Sequence, residues 1–123
     1  MKALTKSEEQ VMQVLWTLKQ GFLKDILEHT PEPKPHTNTV ATLLKILVDK
    51  KYVAYQTQGR NNLYHPLISK EDYGRKSLNQ VMKGYFDGSP ARLVSQFMSE
   101  NKLSPEELES LLQQIKSLKK LDV

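Results

Sequence analysis

The sequence predicts a mainly α-helical protein with one small β-hairpin: three helices and the hairpin in an N-terminal domain, residues 1–68, then three further helices in residues 69–123. Three observations carry that expectation. Apolar residues recur at helical spacing up to about residue 51, the pattern changes to β-forming residues between 52 and 66, and helical spacing returns from Ser69 onward. The chain has 123 residues, 38% of them hydrophobic, enough for one ordinary domain or two small ones with a core that needs no staples. With no Cys, disulfide frameworks, thiolate zinc sites and cysteine nucleophiles are all excluded. No stretch approaches the ~20 apolar residues of a membrane span. The N-terminal residues turn polar before a signal-peptide core could form, which points to the cytoplasm.

Thr5-Lys-Ser-Glu8 is a capping box, in which hydroxyl and carboxylate each satisfy an orphan backbone donor at a helix start. Val11, Val14, Leu15 and Leu18 follow at helical spacing, widened by Met12 and Trp16, and Gly21 ends the helix. A second, short helix spans about Leu23 to His29 and stops at Pro31-Glu-Pro-Lys-Pro35. The third runs from about Thr37 to Lys51 with Val40, Leu43, Leu44 and Leu47 on one face. Residues 52–58 read as a strand, Gly59-Arg-Asn-Asn62 as turn chemistry, and residues 63–66 as the returning strand. Three helices followed at once by a hairpin is the order of a winged helix-turn-helix domain, whose third helix is held against DNA and whose hairpin is the wing.

Ser69 caps a helix from Lys70 to about Asp87 with Leu78, Val81, Met82, Tyr85 and Phe86 at helical spacing. Ser89-Pro90 is an N-cap with proline at the first helical position, opening a helix that bears Leu93, Val94, Phe97 and Met98. Ser104-Pro105-Glu-Glu107 is a second capping box and starts a last helix bearing Leu108, Leu111, Leu112, Ile115 and Leu118. About 55 residues in three amphipathic helices give a thin core with much apolar area to hide. A second chain is the economical cover. The expected dimerisation face comprises Val81, Tyr85, Leu93, Phe97, Leu108, Leu111, Leu112 and Ile115, the last helix alternating steps of three and four as a short coiled-coil seam would.

Charge supports the same division. Residues 1–68 carry nine Lys+Arg and six Asp+Glu, net +3, and the remaining residues nine and eight, net +1. On the outward side of the third helix, Thr37, Asn38, Thr39, Ala41, Thr42 and Lys45 offer hydrogen-bonding groups for base edges, methyl groups for thymine, and one cation. Arg60 at the hairpin tip, with Asn61 beside it, is the wing's candidate for a phosphate or minor-groove contact. Lys50 and Lys51 lie at the end of the third helix, where they complement the C-terminal dipole whether or not DNA is near. His29, His36 and His65 lack a metal-ligand spacing, and Trp16 and the methionines occupy core positions, so neither metal nor cofactor is expected. Glu106 and Glu107 lie in a helix's first turn, where the dipole favours them; with no phosphate loop, nucleophile elbow or metal motif, the chain does not read as an enzyme.

Val40-Ala-Thr-Leu-Leu-Lys-Ile-Leu-Val-Asp-Lys-Lys-Tyr-Val53, then Gly59-Arg60, Tyr64-x-Pro66-Leu-Ile-Ser69-Lys-Glu71-Asp-Tyr73, Gly88-Ser89, Leu93-Val94, Phe97 and Leu103-Ser104-x-Glu106-Glu107-Leu108 resemble the penicillinase-repressor family (BlaI/MecI, with the copper-responsive CopY branch). Leu4-Thr5, Glu8 and Val11-Met-x-Val-Leu-Trp16 match that family's first helix. The resemblance implies a homodimeric bacterial repressor that binds a palindromic operator through its winged-helix domains and dimerises through its C-terminal helices. It also implies derepression by proteolysis within those helices, or by metal binding to C-terminal cysteines in the copper branch. This chain has no cysteine, and in place of the family's Asn-Phe cleavage bond it has Gln96-Phe97. Asn38, Ala41 and Ile46 stand where the family usually carries Lys or Arg, which predicts fewer phosphate contacts. Two other readings compete: a winged helix serving as a protein-interaction adaptor without sequence-specific DNA binding, and a regulator holding a small effector between its helices.

Overall fold

The computed structural model describes residues 2–121; within that span the side chains of Ile115 and of residues 117–121 lie outside the described residues, and the expected seam positions Ile115 and Leu118 are among them. The elements are α1 (Lys6–Leu18), α2 (Leu23–Glu28), α3 (Thr37–Asp49), β1 (Val53–Gln58), β2 (Asn61–Pro66), α4 (Lys70–Tyr85), α5 (Pro90–Ser99) and α6 (Pro105–Leu121). They divide between two compact units, Met1–Arg75 and Lys76–Val123, so the first six residues of α4 belong with the hairpin.

In the first unit the expected capping box forms: Glu8 N–H donates to Thr5 Oγ1 (3.2 Å) and Thr5 N–H to Glu8 Oε2 (3.3 Å). α1 then buries Val11, Met12, Val14 and Leu15, the stripe its spacing predicts, against Ile26 of α2 and Val40, Leu44 and Leu47 of α3. These three helices share one core, and Tyr52, Val53 and Ile68 close it from the hairpin side. Burying side chains of this kind contributes roughly 1.5–3 kcal/mol each before chain entropy is counted.

Several boundaries depart from the sequence expectation, each for a local reason. α1 ends at Leu18 because Lys19 takes a left-handed conformation (φ 71°). Gly21, expected only as a helix stop, exchanges both backbone hydrogen bonds with Tyr64 (2.9 Å each) and so extends the hairpin by a one-residue bridge. A Cβ there would lie 3.3 Å from Leu18 Cδ1 and 3.4 Å from Asp25 Cβ, so glycine suits the close approach. α3 stops at Asp49, two residues short of Lys51, which itself adopts a left-handed φ of 67°. Antiparallel pairing runs from Val53↔Pro66 to Gln58↔Asn61, which leaves a two-residue turn of Gly59 and Arg60 and draws Asn61 and Asn62 into β2. Gly59, with φ 63°, supplies the left-handed backbone that such a turn requires.

Glu8 has a second role besides capping. Its carboxylate, 3% exposed as a residue, receives Lys50 Nζ at 2.7 and 2.9 Å, and the same ammonium donates to the Ala3 carbonyl (3.0 Å). The Tyr52 phenol donates to the Lys2 carbonyl (2.6 Å). Burial pushes that phenol above its ordinary pKa, with Lys50 pulling it back and Glu8 raising it further. Two ends of the core are thereby tied: the start of α1 and the end of α3.

The first residues of α4 are fastened just as specifically. Ser69 Oγ caps α4 by accepting from Asp72 N–H (3.0 Å), and Trp16 Nε1 donates to the Ile68 carbonyl (2.9 Å). The Tyr73 ring lies 5.6 Å from Trp16 and 6.0 Å, edge-on, from Tyr52.

In the second unit the expected caps also form. Ser89 Oγ accepts from Arg92 N–H (3.3 Å), with Pro90 at the first helical position. Ser104 and Glu107 make a reciprocal box at 3.1 and 3.3 Å. What this unit lacks is an interior: every buried residue among those described lies at or before Ile68.

Replacing Glu8 by Gln removes the carboxylate from Lys50 while keeping the shape, and is expected to lower unfolding stability by about 2 kcal/mol, between the values typical of exposed and fully buried pairs. Urea denaturation monitored by Trp16 fluorescence checks this, and a loss below about 0.5 kcal/mol would place the pair among those of negligible weight.

Candidate nucleic-acid interface

Because Val40, Leu44 and Leu47 point into the core, the rotation of α3 about its axis is fixed. Asn38, Ala41, Thr42 and Lys45, at i, i+3, i+4 and i+7, therefore share the opposite side; Asn38, Thr42 and Lys45 are exposed and Ala41 is half-buried at its margin. Thr37 and Thr39 are exposed in the first turn. Asp49, also exposed, stands one turn beyond Lys45 and bounds the face with a negative charge.

The chemistry of this face follows from its hydrogen bonds. Thr42 Oγ1 donates to the Asn38 carbonyl (2.9 Å), so its hydroxyl proton is taken by the helix and its outward groups are an acceptor and a methyl. His36 caps α3, its Nδ1 accepting from Asn38 N–H (3.2 Å), as a neutral imidazole with its proton on Nε2 can. Among the described residues Lys45 and Arg60 have no carboxylate partner, so both are available to an anion.

Lys50, by contrast, is turned inward onto Glu8 and is withdrawn from any outer surface. Lys34 is likewise occupied: its Nζ donates to the Leu27, Glu28 and Thr30 carbonyls at 2.8, 3.0 and 3.2 Å, capping the end of α2. Arg60 and Asn61 are exposed at the hairpin tip. The structure brings them beside the start of α2, where Phe22, Lys24, Arg60, Asn61 and Tyr64 are among the residues lining an open cleft of about 370 Å³. Lys24 is the residue sequence reading missed here; nothing in the linear order relates it to a turn 36 positions later. Asp25 Oδ2 accepts from Phe22 N–H (2.9 Å) and fixes the backbone on that side of the cleft.

Of the expected dimerisation residues whose side chains are described, none is buried and most are exposed. Val81, Tyr85, Phe97, Leu111 and Leu112 are exposed, Tyr85 to 82%, while Leu93 and Leu108 are half-buried. The Gln96–Phe97 bond lies inside α5, with Gln96 Nε2 donating to Glu100 Oε1 (2.9 Å); that bond, with Lys102, holds the Glu100 carboxyl below its ordinary range. Among the described residues no three His, Asp or Glu side chains gather where they could hold a metal ion.

The penicillinase repressor family model matches residues 4–117. The chain belongs to that family. It is 23% identical over 111 residues to the penicillinase repressor of Bacillus licheniformis, covering 89% of this chain and 87% of that protein. It is 26% identical over 113 residues to the methicillin resistance regulatory protein MecI of Staphylococcus aureus strain N315, covering 88% and 89%. Among solved structures, the DNA-binding domain of the repressor BlaI superposes with a TM-score of 0.52 at 25% identity, covering 59% of this chain and 94% of that domain. The first unit is thus a winged helix, with α3 in the recognition position and β1–β2 as the wing.

Gly59→Ala keeps the polar tip but forces a side chain into the left-handed region, and is expected to lower stability by about 1 kcal/mol. A thermal melt reads the loss, and amide shifts at Arg60 and Asn61 should change with it; a variant indistinguishable from the parent would show that the turn tolerates another backbone.

Proposed function

We propose that this protein is a transcriptional repressor that works as a homodimer in the cytoplasm, occluding a palindromic operator. The observation that carries the DNA reading is the α3 face: a rotationally fixed helix in the recognition position of a winged helix, presenting Asn38, Thr42 and Lys45 outward with Ala41 at the margin. Asn suits the N6/N7 edge of adenine, a Thr or Ala methyl suits the thymine methyl, and Lys45 suits guanine or a phosphate. Thr37 and Thr39 stand near the helix start, where backbone and hydroxyl groups favour phosphate oxygens. Arg60 and Asn61 supply the flanking backbone or minor-groove contact from the wing.

The homodimer reading is supported by the second unit's lack of an interior. Val81, Tyr85, Phe97, Leu111 and Leu112 are too many exposed apolar residues for so small a unit to leave in water, and a second copy would cover them. Two recognition helices about 34 Å apart would then enter successive major grooves, and the tethered second half-site would bind at high effective concentration. Repressors of this kind act by occupying DNA, and no chemical step is assigned to any residue here. A protease acting at Gln96–Phe97 would first have to open α5 locally, since the bond is helical.

Selection from random DNA duplexes by the purified protein is expected to enrich a palindrome; enrichment of nothing above background would favour the adaptor reading. On the enriched duplex, alanine at Thr39, Thr42 and Arg60 together should abolish retardation with the dimer intact. Arg60→Ala alone should lower the slope of log K against log salt by about one. Leu111→Glu should give monomers by light scattering and far weaker retardation, and a persisting dimer would place the interface elsewhere.

A further inference from the structure

We infer that Tyr73 and Gly74 form an anchored hinge in α4: Tyr73 fixes the first turn of that helix to the winged-helix unit, and Gly74 lets the rest of the helix bend. Tyr73 acts as a positioning residue. Its ring contacts both Trp16 of α1 (5.6 Å) and Tyr52 at the end of the core (6.0 Å), and the residue just before α4, Ser69, follows the Ile68 carbonyl that Trp16 Nε1 holds. Two ties to the rest of the unit therefore meet within the span from Ile68 to Tyr73, the indole hydrogen bond and the aromatic cluster, and between them the Ser69 cap forms the start of the helix.

Immediately afterward the character of the helix changes. Gly74 lies in the helix with no atom beyond the helix's own neighbouring backbone within 4 Å of the place a Cβ would occupy, as is also true of Gly84, so no close approach requires glycine there; only Gly74 adjoins the anchored turn. Glycine inside a helix lowers its stiffness by adding backbone freedom. The division between the two compact units falls one residue later, after Arg75. A tightly held turn, a glycine that packing does not demand, and the unit boundary thus follow one another over three residues. For a repressor whose two recognition helices must meet two half-sites, the direction in which α4 leaves the winged helix sets the reach between them. The consequence for DNA rests on the dimeric reading above; the hinge itself does not.

The test uses the full chain. Because it has no Cys, nitroxide labels can be placed solely at Gln10→Cys on α1 and Gln80→Cys on α4, both exposed, with labelled protein diluted in an excess of unlabelled protein. Tyr73→Ala should broaden the label-to-label distance distribution, Tyr73→Phe should keep it as in the parent, and Gly74→Ala should narrow it. On the duplex selected by the unaltered protein, and on versions lengthened by one or two base pairs at the centre, Tyr73→Ala should reduce the preference for the parent spacing roughly tenfold, and Gly74→Ala should sharpen it. Widths unchanged in both alanine variants would overturn the inference. Should Tyr73→Ala fail to fold, Gly74→Ala decides alone, an unaltered width counting against the hinge. Widths that move as stated while the unaltered protein enriches no duplex would uphold the hinge and reject the DNA reading.

Discussion

What α3 can present to a duplex depends on how that helix is rotated, and the rotation is set by burial. Val40, Leu44 and Leu47 insert into a core shared with Met12, Leu15 and Ile26, so Asn38, Thr42 and Lys45 on the opposite side have no choice but to face out. A rotation by one residue would exchange buried Leu44 for Lys45 in one sense or buried Val40 for Thr39 in the other, at a cost of several kcal/mol in lost burial and unpaired polar groups. The Glu8–Lys50 pair reinforces the same constraint from the helix's far end. One carboxylate caps α1 and holds the residue that follows α3, so the two helices cannot slide past each other without breaking the Glu8–Lys50 pair.

The outward face is sparing in charge. Lys45 is its single cation, Asp49 follows one turn later, and Lys50 is spent on the core. A surface of this kind gains more of its discrimination from hydroxyl, amide and methyl groups against base edges than from phosphate neutralisation. The second unit shows the complementary economy: its helices are well capped, so they form, but they leave their apolar faces unburied within one chain. Local signals suffice for the helices; the core is left for the proposed second copy to complete.

Local features were the legible ones. The caps at Thr5, Ser69, Ser89 and Ser104 could all be read from spacing because each links residues three positions apart. The buried stripes of α1 and α3 were equally readable from periodicity. What escaped was non-local or a matter of turn length. Lys50 resembled a helix-ending surface lysine, since its partner Glu8 is 42 positions away. Gly21 resembled a helix stop, because its bridge to Tyr64 exists only after the chain has folded back. Asn61 and Asn62 resembled turn residues, but Gly59 alone provides the left-handed backbone, and two residues complete the turn. Tyr73 belonged to the family motif, but its contacts were not legible, because they depend on Trp16 and Tyr52 reaching the same place.

In the proposed complex one face of α3, together with the hairpin tip, meets DNA. Chemical-shift mapping of the isotope-labelled full chain, titrated with a duplex it selects, tests this most directly. The largest perturbations are expected at Asn38, Ala41, Thr42 and Lys45 and at Gly59 to Asn61, with the amides of Val11 to Leu15 nearly still. Perturbations confined to α5 and α6, with α3 and the hairpin unmoved, would contradict it.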